Sequence, residues 1–102
     1  MFARVTTFEG APDQVDELAR YAAERVLPAL SELDGFNGLL GLADRQSGRV
    51  LVVGLWETEE AMRASEEAVD QLRSEAAEAA SETIAGVDRY EVTFGEVKGA
   101  QL

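Results

Sequence analysis

Residues Arg49–Thr58 read RVLVVGLWET, and this stretch decides the fold. In an extended chain Val50, Val52, Gly54 and Trp56 share one side, while Leu51, Val53 and Leu55 share the other. Both sides are apolar, and a strand of that kind is covered on both faces. Trp56, the only tryptophan, is the best marker of any pocket on its side.

The flanking segments supply the rest of the sheet. FNGLLGLAD (Phe36–Asp44) reads as a strand interrupted by Gly38 and Gly41, which mark a bulge or a close backbone approach. DRQSG (Asp44–Gly48) is a turn that joins it to the Arg49–Thr58 strand as a hairpin. On the far side Thr58 suits a helix N-cap, and Glu59 and Glu60 suit the first turn. Helical residues continue to about Ile84 with a restart at Ser65. Val69, Leu72, Ala76, Ala79 or Ala80, and Thr83 form the inner stripe. Glu66, Glu67, Asp70, Glu75, Glu78 and Glu82 are expected on a solvated face.

Two further strands lie near the ends. Phe2–Glu9 is rich in aromatic and β-branched residues and is stopped by Gly10, Ala11 and Pro12. Asp88–Val97 is expected as the last strand, with Tyr90, Val92 and Phe94 on one side. Lys98–Leu102 reads as a loose tail unless it reaches a partner chain. Between the first two strands, Pro12–Leu33 carries Val15, Leu18, Ala22, Val26, Ala29 and Leu33 at helical spacing, broadened by Leu30. Pro28 has no N–H for the carbonyl of Glu24, so a kink or break is expected there, and Gly35 is a plausible stop.

The order strand, helix, two strands, helix, strand predicts an α+β, ferredoxin-like βαββαβ fold. Residues 1–102 form one domain on this reading. Two helices cover one face of a four-stranded antiparallel sheet, and nothing is left for the other face. A bare apolar sheet is a large exposed patch, which predicts a homodimer packed sheet to sheet.

Composition excludes several functions. The chain has 20 acidic and 9 basic residues, a net charge of −11, and neither cysteine nor histidine. Disulfides, thiolate metal sites and ordinary proximal haem ligation are therefore ruled out, and no histidine base is available. The acidity argues against nucleic acid and anionic membranes as partners. No apolar run approaches a membrane span, and MFARVTTFEG lacks a secretory pattern, so a cytoplasmic location is expected.

Two phrases, LPALSELDGFNGL (Leu27–Leu39) and SGRVLVVGLWETEEAM (Ser47–Met62), together with the element order, resemble the antibiotic biosynthesis monooxygenase type of dimeric α/β-barrel protein. The resemblance implies a small apolar pocket between helices and sheet. It also implies oxidation of polycyclic phenols by molecular oxygen without metal or flavin in some members, and haem degradation in close relatives. The haem-degrading branch uses an asparagine on the first strand, a tryptophan on the third and a later histidine. Trp56 matches the tryptophan; the first strand offers Thr6 and Thr7, and the histidine is missing.

On this basis Trp56 and Asn37 are the candidate catalytic residues, and Trp56, Tyr90, Thr7, Val52 and Leu72 the candidate substrate contacts, with no cofactor and no metal. Each has an ordinary alternative. Trp56 either stacks on a planar ligand or fills the core. Asn37 either hydrogen-bonds a developing oxyanion or is an exposed strand-start residue. Tyr90 either reaches the pocket or lies in the core or dimer face, and Tyr21 flanks the first helix's stripe. Arg4, a lone cation inside a strand, either attracts an anionic substrate or forms a surface or interface ion pair. The expected function is a cofactor-independent monooxygenase of a small planar aromatic or polyketide-like molecule. The alternative is a non-catalytic ligand-binding or structural protein of the same fold.

Overall fold

A computed structural model describes residues 1–99 and 102. Its strands are β1 (Phe2–Glu9), β2 (Phe36–Asp44), β3 (Arg49–Trp56) and β4 (Thr83–Glu91). They form one antiparallel sheet in the order β2-β3-β1-β4. Helices α1 (Val15–Tyr21), α2 (Leu27–Leu30), α3 (Glu59–Ala64) and α4 (Glu66–Ala80) cover one face. This is the ferredoxin-like arrangement, with the hairpin strand β3 paired to the first strand at the centre.

The first helical stretch shows the effect of Pro28. A 3₁₀ turn at Pro12–Gln14 leads into α1, and a π turn at Ala22–Val26 joins α1 to α2. Pro28 cannot bond the Glu24 carbonyl, and the preceding N–H, on Leu27, donates to Ala22 five residues back. The helix thus shifts register without breaking. It ends at Leu30, before the expected Leu33, and Gly35 turns the chain with φ +79°.

The hairpin forms as read. Asp44 Oδ1 accepts from the Gln46 and Ser47 amides, and Gly48 takes φ +82°. The register between β2 and β3 shifts between Phe36 and Gly38, which makes Asn37 the extra residue of a bulge. Thr58 Oγ1 accepts from the Ala61 amide at 3.0 Å and caps α3, and Ser65 separates α3 from α4.

The C-terminal third departs from the sequence reading. α4 stops at Ala80, four residues early, because Ser81 adopts a left-handed conformation (φ 55°). The β-branched pair Thr83 and Ile84 then starts the last strand, which occupies Thr83–Glu91 and not Asp88–Val97. Pairing with β1 outweighs the helical periodicity that Thr83 continues. Of the tail, Ala100 and Gln101 lie outside the described residues.

Two apolar clusters fill the space between helices and sheet. One gathers Phe8, Val15, Leu18, Val50, Ala76, Ala77 and Ala80; the other gathers Leu30, Trp56 and Met62, with Phe36 and Leu72 against it. Val26, on the π turn, touches both. The opposite face of the sheet presents Val5, Leu51, Val53, Leu55 and Leu40, all half-buried, and the exposed Leu42.

Candidate functional site

The site lies where the two clusters meet. A cavity of about 50 Å³ is floored by Arg4, Thr6 and Phe8 of β1 and by Val52, Gly54 and Trp56 of β3. Leu18, Ala22, Val26 and Leu30 form its helical roof on one side; Val69, Leu72, Arg73 and Ala76 of α4 form it on the other. The sheet register sets the floor: Arg4 lies opposite Gly54, Thr6 opposite Val52 and Phe8 opposite Val50. Gly54 lies against the indole, where a methyl would sit 3.4 Å from Trp56 Nε1, in van der Waals contact.

Trp56 is fully buried and held from two sides. Phe36 meets it edge-on at 5.5 Å, and the Arg4 guanidinium lies 5.7 Å from its ring centroid. Arg4, 3% exposed, donates through Nη2 to the Met62 carbonyl (2.6 Å), Ser65 Oγ (3.1 Å) and Glu66 Oε1 (2.9 Å). Glu66 also receives both Arg89 donors at 2.7 and 2.6 Å. Those Arg89 bonds, then Arg4, hold the Glu66 carboxyl down at about 2.

Arg73, 8% exposed, donates through Nε to Thr6 Oγ1 at 3.2 Å and through Nη1 to Asp70 at 3.0 Å. Burial pushes its pKa down, and the like charge of Arg4 adds to the effect. Three buried donors on residues that line the cavity have no acceptor among the described residues: Arg4 Nε, Arg73 Nη2 and Trp56 Nε1. Unpaired buried donors are costly, so a native protein keeps them for a reason. No cluster of three or more His, Cys, Asp or Glu among the described residues suits a metal ion.

The structure brings together some of the expected residues and not others. Trp56, Val52 and Leu72 line the cavity. Thr7 does not, because strand alternation turns it to the opposite face and presents Thr6 instead. Tyr90 lies opposite Ala3 on that other face and is 58% exposed, so it is no cavity contact. Asn37 is exposed on the β2 bulge and does not line the cavity either. Tyr21 is half-buried beside the Phe8 cluster. Glu66 leaves the solvated face to clamp two arginines, and Glu82 leaves it to lie buried. Arg73 escaped the sequence reading, although its spacing from Val69, Ala76 and Ala77 places it on the inner stripe.

A second, larger groove of about 360 Å³ runs between the first helix and β2. Leu18, Ala22, Leu39 and Val52 line both it and the inner cavity, so they form the partition. Small residues, Ala19, Ala23, Gly41 and Ala43, shape the outer groove.

A family model described as antibiotic biosynthesis monooxygenase matches residues 1–69. The chain belongs to the antibiotic biosynthesis monooxygenase family. An uncharacterised Mycobacterium tuberculosis protein, Rv2558, is 48% identical over 77 residues, 76% of this chain and 33% of that protein. The chain thus spans about a third of the length of this curated relative. Among solved structures, the monooxygenase from the ActVA-Orf6 gene of Streptomyces coelicolor, in complex with Nanaomycin D, aligns with a TM-score of 0.70 and 22% identity, over 94% of this chain and 89% of that one. The heme-degrader MhuD of M. tuberculosis, with two hemes in its active site, aligns at 0.68 and 23%, over 95% and 100%. Likeness at these identities is likeness of fold. No helix among the described residues is long and apolar enough to cross a membrane.

Proposed function

We propose that this family member is a cofactor-independent monooxygenase of a small planar aromatic substrate bound beside Trp56. The observation that carries the reading is the apolar cavity between helices and sheet, with Trp56, Arg4 and Arg73 among its lining residues. Such a site suits a substrate that ionises to a carbanion. The carbanion reduces oxygen directly: a ring CH₂ becomes C=O, one oxygen atom is retained and the other leaves as water. All four electrons come from the substrate's two C–H bonds, so no flavin or metal is needed. The protein supplies orientation, dryness and donors aimed at the developing oxyanion.

A polycyclic ligand needs more room than 50 Å³, since small-molecule sites run to roughly 300–1,000 Å³. The partition toward the 360 Å³ groove is where space can be gained. Ala22 belongs to the π turn, whose backbone is already off the α-helical ladder. The small cavity also favours a second reading, a binding protein without chemistry.

The dimer belongs to the same proposal. The half-buried apolar residues on the free sheet face suit a second copy packed face to face. Light scattering returning a monomer near 11.0 kDa at micromolar concentration sinks that part. Oxygen uptake with reduced polycyclic phenols tests the activity. Turnover that falls in Trp56→Phe but persists in Asn37→Ala supports the cavity as the site. Saturable binding without oxygen uptake selects the second reading.

A further inference from the structure

We infer that Leu39 is the gate to Trp56: molecules enter the cavity from the outer groove when the Leu39 side chain swings into the empty space above Gly41. The inference rests on the reading above that the cavity takes a ligand, and adds the route to it and the residue that sets what passes.

Three observations carry it. The first is connection. The Trp56 side chain is fully buried, so a molecule reaches it only by displacing a side chain of the lining. The cavity shares Leu18, Ala22, Leu39 and Val52 with the 360 Å³ groove, but only Leu72 with a groove of about 290 Å³ between α2 and α4. All four side chains of the partition are apolar, so this route suits uncharged molecules. The second is freedom to move. Leu18 is 1% exposed and locked in the Phe8 cluster. Val52 is β-branched, and so stiff about χ1, on a strand paired along both edges. Ala22 has only a methyl and nothing to swing. Leu39 is half-buried on β2, at the edge of the sheet and directly after the bulge, and its side chain packs against the Trp56 cluster. The third is a place to go. Leu39 lies opposite Gly54 and Gly41 opposite Val52, so both face the helices. A methyl built on Gly41 would meet no atom of the described residues within 4 Å. Leu39 thus has open space beside it for a change of rotamer. The movement uncovers Trp56 and joins the cavity to the groove, which brings the space into the roughly 300–1,000 Å³ of small-molecule sites.

Trp56 is the only tryptophan, so its quenching by acrylamide, a small neutral molecule, reads the opening with no ligand bound. Stopped-flow mixing with 1,4-naphthoquinone, a planar quencher, reads the entry of a ring. Leu39→Ala is expected to raise both rates about fivefold or more, and Gly41→Val, which fills the space Leu39 needs, to lower both about fivefold. Valine suits a strand and enters open space at Gly41, so that variant is expected to keep the thermal midpoint. The double variant decides the mechanism. With Leu39 as the gate, Gly41→Val has no effect once Leu39 is alanine. A Gly41→Val effect of equal size in both backgrounds means that the valine plugs the groove, and overturns the gate. Rates unchanged in the two single variants place the entrance elsewhere and also overturn it. If Leu39→Ala does not fold, Leu39→Val replaces it in the same cycle. Acrylamide quenching that follows the expected pattern while naphthoquinone fails to bind supports the gate and counts against the ligand reading.

Discussion

Arg73→Met should make the protein more stable. The side chain is 8% exposed, its guanidinium has lost most of its water, and Nη2 has no acceptor among the described residues. Desolvation of a buried ion costs several kcal/mol, and replacing incompletely compensated buried charges with apolar residues of similar volume ranges from neutral to a gain of about 1–4 kcal/mol. Against this stand two losses. The Asp70 pair spans one helical turn at an exposed carboxylate and contributes about 0.5 kcal/mol. Thr6 Oγ1 loses its donor in a buried setting, a cost of about 1–2 kcal/mol. Taking the middle of that range, about 2–3 kcal/mol, less these losses, the net expectation is a gain of up to about 1 kcal/mol, at roughly 4–8 °C in Tm per kcal/mol for a chain of this size. Urea unfolding followed by Trp56 fluorescence measures it, at one fixed protein concentration because a dimer's stability depends on concentration. Adding Thr6→Val should recover about 1 kcal/mol more by removing the orphaned oxygen. A loss above about 1 kcal/mol in Arg73→Met refutes the reasoning, because it means the guanidinium is fully compensated in the folded chain.

Two carboxylates bend the stability–pH curve in opposite directions. Arg89 and Arg4 lower Glu66 from 4.5 to about 2, so its contribution is complete above 4.5 and fades as pH falls toward 2. The shift sets a ceiling of about 3 kcal/mol, which partial exposure reduces to about 1–2; Glu66→Gln should flatten that acid limb in pH-dependent urea melts. Burial raises Glu82, whose carboxylate has no hydrogen-bond partner among the described residues, so its penalty is present at neutral pH and is relieved as pH falls through its folded value toward 4.5. Glu82→Gln should stabilise the protein at pH 7 by about 1 kcal/mol and remove that relief; a destabilised variant would reveal an unseen donor. Gly48→Ala should cost more than about 2 kcal/mol in the same melts, because its φ is +82° and a methyl would sit 2.2 Å from the Gly10 carbonyl oxygen. Thr58→Ala should cost about 1 kcal/mol and fray α3 first, seen as faster amide exchange at Ala61.

The sequence by itself determined the element order, the hairpin and the helix cap, because each is a local matter. Asp44–Gly48 carries its own turn chemistry, Thr58 bonds an amide three residues on, and Pro28 perturbs only the turn that contains it. The apolar alternation of Arg49–Trp56 was enough to identify that segment as a strand, and its pairing on both edges, with β1 and β2, came from the folded chain. Trp56, Val52 and Leu72 were legible as cavity residues because strand and helix periods fix which face each one takes.

What the tertiary structure decided depends on contacts between distant residues. The end of α4 was settled when β1 paired with Thr83–Glu91, and local helical period carries no information about that competition. Strand parity relative to the helices chose Thr6 over Thr7 and sent Tyr90 to the open face. The polar part of the site was the least legible. Arg4 and Glu66 are 62 residues apart, and Thr6 and Arg73 are 67 apart. A charge in a sequence is surface until folding removes its water. Only the folded chain brings two arginines and an indole to the lining of one small cavity and buries a donor on each without an acceptor among the described residues.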